Sequence, residues 1–150
     1  MKELSLYSDD LAELMKAVLY KGADFRFKAR GHSMEPFIKD GDIITVSSQA
    51  HIEEGDIVAF INQNKKLALH RIIGKKSKKI IIKGDNSRKT DGFIDRENIL
   101  ASVKKVERQD RTVETGKGKK IIALLSRVNL LIPCISIVRK FFREFKRIKN

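Results

Sequence analysis

The sequence predicts a mainly β protein: a compact antiparallel β-structure with a short N-terminal helix and a basic, amphipathic C-terminal helix. Two observations support this fold. Between residues 25 and 106, short runs rich in β-branched and aromatic residues alternate with turn signals. At both ends of the chain, apolar residues recur every three or four positions, which is the spacing of an amphipathic helix. A chain of 150 residues is long enough for one domain with a modest core.

The first predicted element is an amphipathic helix within residues 1–24. Ser8 is a suitable N-cap, and Asp9 and Asp10 place negative charge in the first turn, where the helix dipole favours it. Gly22 offers a stop. The apolar positions of this helix are Leu11, Leu14, Met15, Val18 and Leu19.

Residues 25–114 are predicted to form the β-domain. The alternation of Phe25, Phe27 and Ala29 indicates its first strand. Five further runs follow, namely Ile43 to Val46, Ile57 to Ile61, Leu67 to Ile73, Ile80 to Lys83 and Ile99 to Val106. Turn sequences that contain glycine, asparagine or aspartate separate most of these runs, and such spacing is typical of a compact antiparallel β-structure.

Residues 115–150 are predicted to be a linker followed by a basic, amphipathic helical tail. Glycine and lysine dominate the linker, from Thr115 to Lys119. The apolar residues of the tail then repeat at helical spacing, as one helix or as two that are broken near Pro133. These apolar residues are Ile121, Leu124, Leu125, Val128, Leu131, Ile132, Ile135, Val138, Phe141, Phe142, Phe145 and Ile148.

The formal net charge of +13 belongs mainly to this tail, because residues 117–150 hold ten lysine or arginine residues and a single acid, Glu144. The tail has three possible partners: the β-domain or a second copy of the chain, an anionic membrane surface, or nucleic acid. Nucleic acid is the weakest candidate, because no recognisable nucleic-acid-binding motif accompanies the charge. A bilayer crossing is not expected either, because Arg127, Asn129 and Pro133 interrupt the apolar stretch.

Composition also limits the chemistry. Cys134 is the only cysteine, so an intrachain disulfide is impossible, and the histidines lack metal-ligand spacing. We therefore expect no metal and no other cofactor. The segment from Met1 to Asp10 lacks the apolar core of a secretory signal. We expect a cytoplasmic protein that is soluble or peripheral to the membrane, and the sequence leaves its oligomeric state open.

Ser33 and His70 are the candidate nucleophile and general base. A serine hydroxyl needs a base within hydrogen-bond reach before it attacks a carbonyl at neutral pH. A neutral histidine accepts a proton near pH 6.5 without the desolvation that a lysine base needs, so activity should fall in acid. Taken alone, Ser33 could be a simple turn residue, and His70 could be a half-buried histidine bonded to the backbone.

Two acids are candidates for the third catalytic group. Asp85, in the run Lys83-Gly84-Asp85-Asn86, could orient His70 and stabilise its protonated form, although aspartates in such turns often bond their own backbone. Asp91 lies six residues further on. For substrate binding, the backbone N–H of Ser33 is the natural oxyanion donor. Gly31 would allow a substrate to approach the backbone, and Met34 would pack beneath the turn.

Five motifs in this order resemble the signal peptidase I and LexA-type (S26/S24) serine peptidases. The resemblance covers roughly residues 25–108. Its motifs are Gly31-His32-Ser33-Met34-Glu35-Pro36, Gly41-Asp42-Ile43-Ile44-Thr45-Val46, Gly55-Asp56-Ile57-Val58-Ala59-Phe60, His70-Arg71-Ile72-Ile73-Gly74 and Lys83-Gly84-Asp85-Asn86. Most bacterial signal peptidases and LexA-type proteins carry a lysine in the place of His70. With a histidine at this place, the chain resembles the endoplasmic-reticulum and archaeal branch of signal peptidases, in which one or two aspartates assist the histidine. Asp85 and Asp91 match that pattern.

The resemblance implies a serine endopeptidase of the signal peptidase type that cleaves a peptide or protein precursor. It implies an extended substrate that pairs with a strand edge and has small residues before the scissile bond. Two alternatives remain. A LexA-like self-cleaving regulator would usually carry a DNA-binding domain ahead of the peptidase fold, and only about 24 residues precede Phe25. A non-catalytic binding module on the same fold is the other.

Overall fold

The computed structural model describes residues 9–48 and 51–148 of the chain. Ser8, the expected N-cap, lies outside the described residues. The described residues are mainly β, with eight antiparallel strands in one curled sheet, an N-terminal helix and two C-terminal helices. The predicted fold class is confirmed.

The helices and strands follow one another in a simple order. Helix α1 (Asp9–Tyr20) precedes β1 (Phe25–Lys28), β2 (Ile43–Ser47), β3 (Ile57–Ile61), β4 (Leu67–Lys76), β5 (Lys79–Lys83), β6 (Phe93–Asp95), a single 3₁₀ turn (Arg96–Asn98), β7 (Ile99–Arg108) and β8 (Arg111–Thr112). Helices α2 (Lys119–Arg127) and α3 (Leu131–Ile148) follow β8. The strands neighbour one another in the order β1-β2-β7-β3-β4-β5-β6, and β8 pairs with β7.

The apolar core lies in two clusters. The larger one joins α1 to the β1–β2–β7 part of the sheet, where the fully buried Met15 of α1 meets Ile44, Val46 and Val106. The smaller cluster lies around Phe60, and its other members are Ile52, Val58, Ile72, Ile80, Ile82, Ile94 and Ile99. Burying each large side chain of this kind stabilises the fold by about 1.5–3 kcal/mol.

Sequence reasoning missed two short strands and misplaced one helix break. Strands β6 and β8 contain only three and two residues, too few to show any periodicity. The C-terminal helices separate at residues 128–130, ahead of Pro133, and Asn129 there has a positive φ of 58°. Pro133 lies in the first turn of α3, where a missing N–H costs nothing because the helix leaves that donor without an intrahelical partner.

Among the described residues no single helix is long and apolar enough to cross a bilayer. The pair formed by α2 and Leu131–Phe141 meets the length and composition requirement together, but the two parts are bent by 114° at the break.

Candidate active site

Ser33 lies in an exposed turn between β1 and β2, and its side chain meets His70. The distance from Ser33 Oγ to His70 Nε2 is 3.1 Å, which is within hydrogen-bond range. The two residues are 37 positions apart in the sequence. Folding therefore brings together an alcohol and an imidazole in the geometry that a nucleophile and its base require.

His70 is held in place on β4. Its backbone pairs with Val58 of β3, and its ring packs against Phe60 with 5.7 Å between the ring centroids. The second ring nitrogen, Nδ1, lies 2.5 Å from Asp91 Oδ2. Asp91 is fixed in turn, because its backbone N–H donates to the carbonyl of Ile82. Ser33, His70 and Asp91 thus form a continuous hydrogen-bonded chain.

Asp85 does not occupy the predicted place beside His70. Its two carboxylate oxygens accept hydrogen bonds from Nε and Nη2 of Arg71, each at 2.8 Å, and both side chains are fully buried. Burial raises the pKa of Asp85 and the bonds from Arg71 oppose that shift. The physical reason is the geometry of β4. Neighbouring residues of a strand point to opposite faces, so Arg71, and with it the Asp85 carboxylate that it binds, is directed away from His70.

Arg71 is a structural residue that sequence reasoning missed. Besides Asp85 it donates to the carbonyl of Gly55 at 2.7 Å, and its guanidinium lies 5.1 Å from the centre of the Phe37 ring. A signal was present in the sequence, because a charged residue within an apolar strand must find a partner when it is buried. Arg71 therefore ties β4 to the turn that carries Ser33 and to the loop that follows β5.

That loop after β5, residues 84–91, holds the Ser33 turn through Asn86. The backbone N–H of Asn86 donates to the carbonyl of Ser33 at 2.8 Å, and its side-chain amide donates to the carbonyl of His32 at 3.2 Å. Gly84 allows this close packing. A Cβ at Gly84 would lie 2.7 Å from the Ser33 carbonyl oxygen and 3.1 Å from His70 Nε2. The run Lys83-Gly84-Asp85-Asn86 thus positions Ser33 rather than orienting His70.

Gly31 and Met34 lie on either side of Ser33 in the chain and line a cavity beside it. The backbone N–H of Gly31 donates to Asp40 Oδ1 at 2.9 Å, so that amide is already engaged. In the part of the chain that is described, the backbone N–H groups of Ser33 and Met34 have no hydrogen-bond acceptor. The cavity measures about 130 Å³, and its wall is formed by Phe27, Ala29, Arg30, Gly31, Ser33, Met34, Ile38, Leu67, Ala68 and Leu69.

The other candidate groups lie elsewhere. His32 is largely exposed, and its Nδ1 lies 2.8 Å from Glu35 Oε1; this hydrogen bond raises the pKa of His32. Within residues 9–48 and 51–148, no cluster of three or more histidine, cysteine or acidic side chains could hold a metal ion. His51 lines a separate surface cleft with several lysines.

Fold and site together define a protein with the LexA-type peptidase fold. The comparison with protein families agrees, because residues 3–113 match the family described as Peptidase S24-like. The chain belongs to the Peptidase S24-like family. The comparison with curated proteins gave no match. The match leaves residues 114–150, including α2 and α3, outside the family region.

Proposed function

We propose that this protein is a serine endopeptidase in which Ser33 is the nucleophile and His70 the general base, as in the histidine-containing signal peptidases. The observation that carries this proposal is the 3.1 Å contact between Ser33 Oγ and His70 Nε2, in a chain of a peptidase family. The contact is already short enough for direct proton transfer. Asp91, rather than Asp85, takes the third position.

The reaction proceeds in two halves. His70 Nε2 accepts the proton of the Ser33 hydroxyl while Oγ attacks the substrate carbonyl carbon, and Asp91 stabilises the imidazolium that forms. His70 then gives this proton to the leaving amine, so the peptide bond breaks and an ester to Ser33 remains. Water, deprotonated by His70, attacks that ester and releases the second product with the serine restored.

The oxyanion is stabilised by the backbone at the start of the Ser33 turn. The N–H groups of Ser33 and Met34 have no other acceptor among the described residues, and both belong to the turn that presents Oγ. One preorganised donor of this kind lowers the barrier by about 3–4 kcal/mol. The N–H of Gly31 is not a donor to the oxyanion, because Asp40 occupies it.

An extended substrate fits between β1 and the first half of β4. Strand β5 pairs with β4 only from Arg71 onwards, so residues 67–70 have one edge to which no described strand is bonded. The cavity beside Ser33 lies between the same two strands and is lined mainly by apolar groups. Its volume of about 130 Å³ is far below the ~300–1,000 Å³ of typical ligand pockets. This size favours a small apolar side chain before the scissile bond.

A peptide library tests this function. Wild-type protein should cleave peptides that carry small residues before the cut, with the products identified by mass spectrometry, and Ser33→Ala and His70→Ala should leave them intact. Ser48→Ala is the matched control and should cleave normally, because it removes an exposed hydroxyl that follows β2, outside the Ser33 turn. Equal cleavage by wild type and Ser33→Ala, or none by either, would rule against the proposal.

A LexA-like self-cleaving regulator is the second candidate, and the family match supports it. This function requires that a segment of the same chain enters the site, so its rate would not depend on protein concentration. Purified protein incubated over a dilution series would distinguish the two, since mass spectrometry detects scission directly. A non-catalytic binding module would show neither cleavage nor labelling of Ser33 by a fluorophosphonate.

A further inference from the structure

Helix α2 attaches to the β-domain through polar contacts at both of its ends. At its first residue, Lys119 Nζ lies 2.7 Å from Asp56 Oδ1. At its last residue, Arg127 Nε donates to the carbonyl of Ile73 at 2.6 Å, and Nη2 lies 3.0 Å from Glu54 Oε2. Three contacts between charged or polar groups thus fix both ends of the helix on strand β4 and the loop before β3.

The turn between α2 and α3 is fixed in the same way. Lys83 Nζ donates to the carbonyl of Ser126 and to the side-chain oxygen of Asn129, both at 2.6 Å. Packing is also close at the start of α2, where a Cβ on Gly55 would lie 2.6 Å from the backbone of Lys119. Lys83 directly precedes Gly84, so the attachment of the helices begins beside the Ser33 site.

Part of the apolar side of α2 faces outward. An amphipathic helix in a soluble domain normally turns this whole side to the core; in α2, Ala123 and Ser126 are buried and Ile122 and Leu125 are half-buried, while Ile121 and Leu124 are exposed. The outward apolar surface continues past the turn into α3. Its members are Ile121 (65% exposed), Leu124 (56%), Val128 (52%), Leu130 (51%), Ile137 (68%) and Val138 (53%).

Charge decides what can cover this surface. Lys120, Arg139, Lys140 and Arg143 are exposed on the same two helices, and residues 117–150 carry ten basic residues against one acid. A second copy of the chain would bring an equally positive surface, which opposes association. Nucleic acid would match the charge but offers no apolar phase for the leucine and isoleucine side chains. A bilayer with anionic headgroups satisfies both requirements.

We propose that α2 and α3 form a membrane-binding element that lies in the interface of an anionic bilayer. The apolar side chains enter the region between headgroups and acyl chains, and the basic side chains contact the headgroups. Because the helices are bent by 114° relative to each other, they suit a position along the membrane surface better than a straight crossing of the bilayer. Because Lys83 holds the α2–α3 turn and directly precedes Gly84, the membrane-binding element is attached beside the loop that contacts Ser33. The membrane-binding proposal holds whether or not Ser33 is catalytic.

Vesicle flotation of the full chain tests the proposal. Wild-type protein should float with phosphatidylcholine vesicles that contain phosphatidylglycerol and not with pure phosphatidylcholine, and added salt should release it. The double variant Leu124→Gln, Ile137→Gln should bind at least about tenfold more weakly, because each buried large apolar side chain contributes roughly that factor. Leu14→Gln, on the exposed face of α1 with 54% exposure, is the matched control and should bind as wild type.

Circular dichroism and thermal unfolding establish that each variant remains folded. Three results would overturn the proposal: no binding to the anionic vesicles, equal binding to neutral and anionic vesicles, or undiminished binding by the double variant. Sedimentation provides a fourth. If wild type is a dimer that the double variant dissociates, and vesicles do not compete with dimerisation, then a second copy covers this surface instead.

Discussion

Replacing Gly84 with alanine is the sharpest perturbation of the site, because it adds one methyl group at the point where the loop after β5 touches Ser33 and His70. The new Cβ would lie 2.7 Å from the Ser33 carbonyl oxygen and 3.1 Å from His70 Nε2. The first neighbour is backbone, which moves less readily than the tip of a side chain. To reach an ordinary contact distance of 3.4 Å, the new Cβ and the Ser33 carbonyl oxygen must move apart by about 0.7 Å.

The expected cost follows from that displacement. Inserting a methyl group into a packed region destabilises a protein by about 1–3 kcal/mol. If the same strain is expressed in the transition state, the reaction of Ser33 slows by about 5- to 150-fold. A comparable loss is expected from geometry, since an error of about 1 Å in a reacting group costs roughly 100-fold.

The assay measures the rate of peptide cleavage, or of fluorophosphonate labelling at Ser33, together with urea unfolding. Gly116→Ala is the matched control, because a Cβ there meets nothing within 4 Å. That variant should react at the wild-type rate and gain up to about 1 kcal/mol from the stiffer unfolded chain. If Gly84→Ala instead reacts like wild type and loses no stability, the loop does not press on the Ser33 turn, and the positioning role of Gly84 is wrong.

Three further outcomes follow from the ion pairs. Asp91→Asn should reduce the cleavage rate by about 10²- to 10⁴-fold with little change in stability, since its carboxylate contacts the catalytic imidazole. Asp85→Ala should lower the unfolding free energy by about 3–5 kcal/mol, because it leaves the fully buried Arg71 without its partner; a near-neutral result in urea unfolding would contradict the pairing. Burial raises the pKa of Asp42, but hydrogen bonds from Arg108 and from the backbone N–H of Lys39 outweigh this and hold the pKa below its ordinary value. Asp42 therefore stabilises the fold above about pH 4 and loses this effect as pH falls through its lowered pKa, so unfolding curves of wild type and Asp42→Asn should differ most near neutrality and converge in acid.

Much of the fold was readable because periodicity and turn residues are local signals. Strand β3 lies where its apolar run predicted, and β2 extends the prediction by one residue, to Ser47. The two-residue β8 and the three-residue β6 carry no such signal. The sequence leaves open one C-terminal helix or two that are broken near Pro133. The structure has two, and the break falls at residues 128–130 because proline is compatible with a first helical turn.

At the site, the sequence indicated the residue types but not all of the pairings. Two aspartates were candidates for one histidine, and nothing in their spacing separates them. The structure pairs Asp91 with His70 and Asp85 with Arg71, so the two acids have different roles. The family resemblance implies one or two acids that assist the histidine, and it does not separate Asp85 from Asp91.

By itself, the sequence determined the mainly β class, the positions of the long strands and the serine and histidine that meet at the site, because these depend on alternation and on motifs within a few residues. Tertiary structure alone decided which carboxylate reaches the imidazole and which face of α2 turns outward. Both depend on contacts between residues far apart in the chain. A helix with one apolar and one basic face can attach by either, and the polar partners Glu54, Asp56 and Lys83 on the β-domain hold α2 so that Ile121 and Leu124 remain exposed.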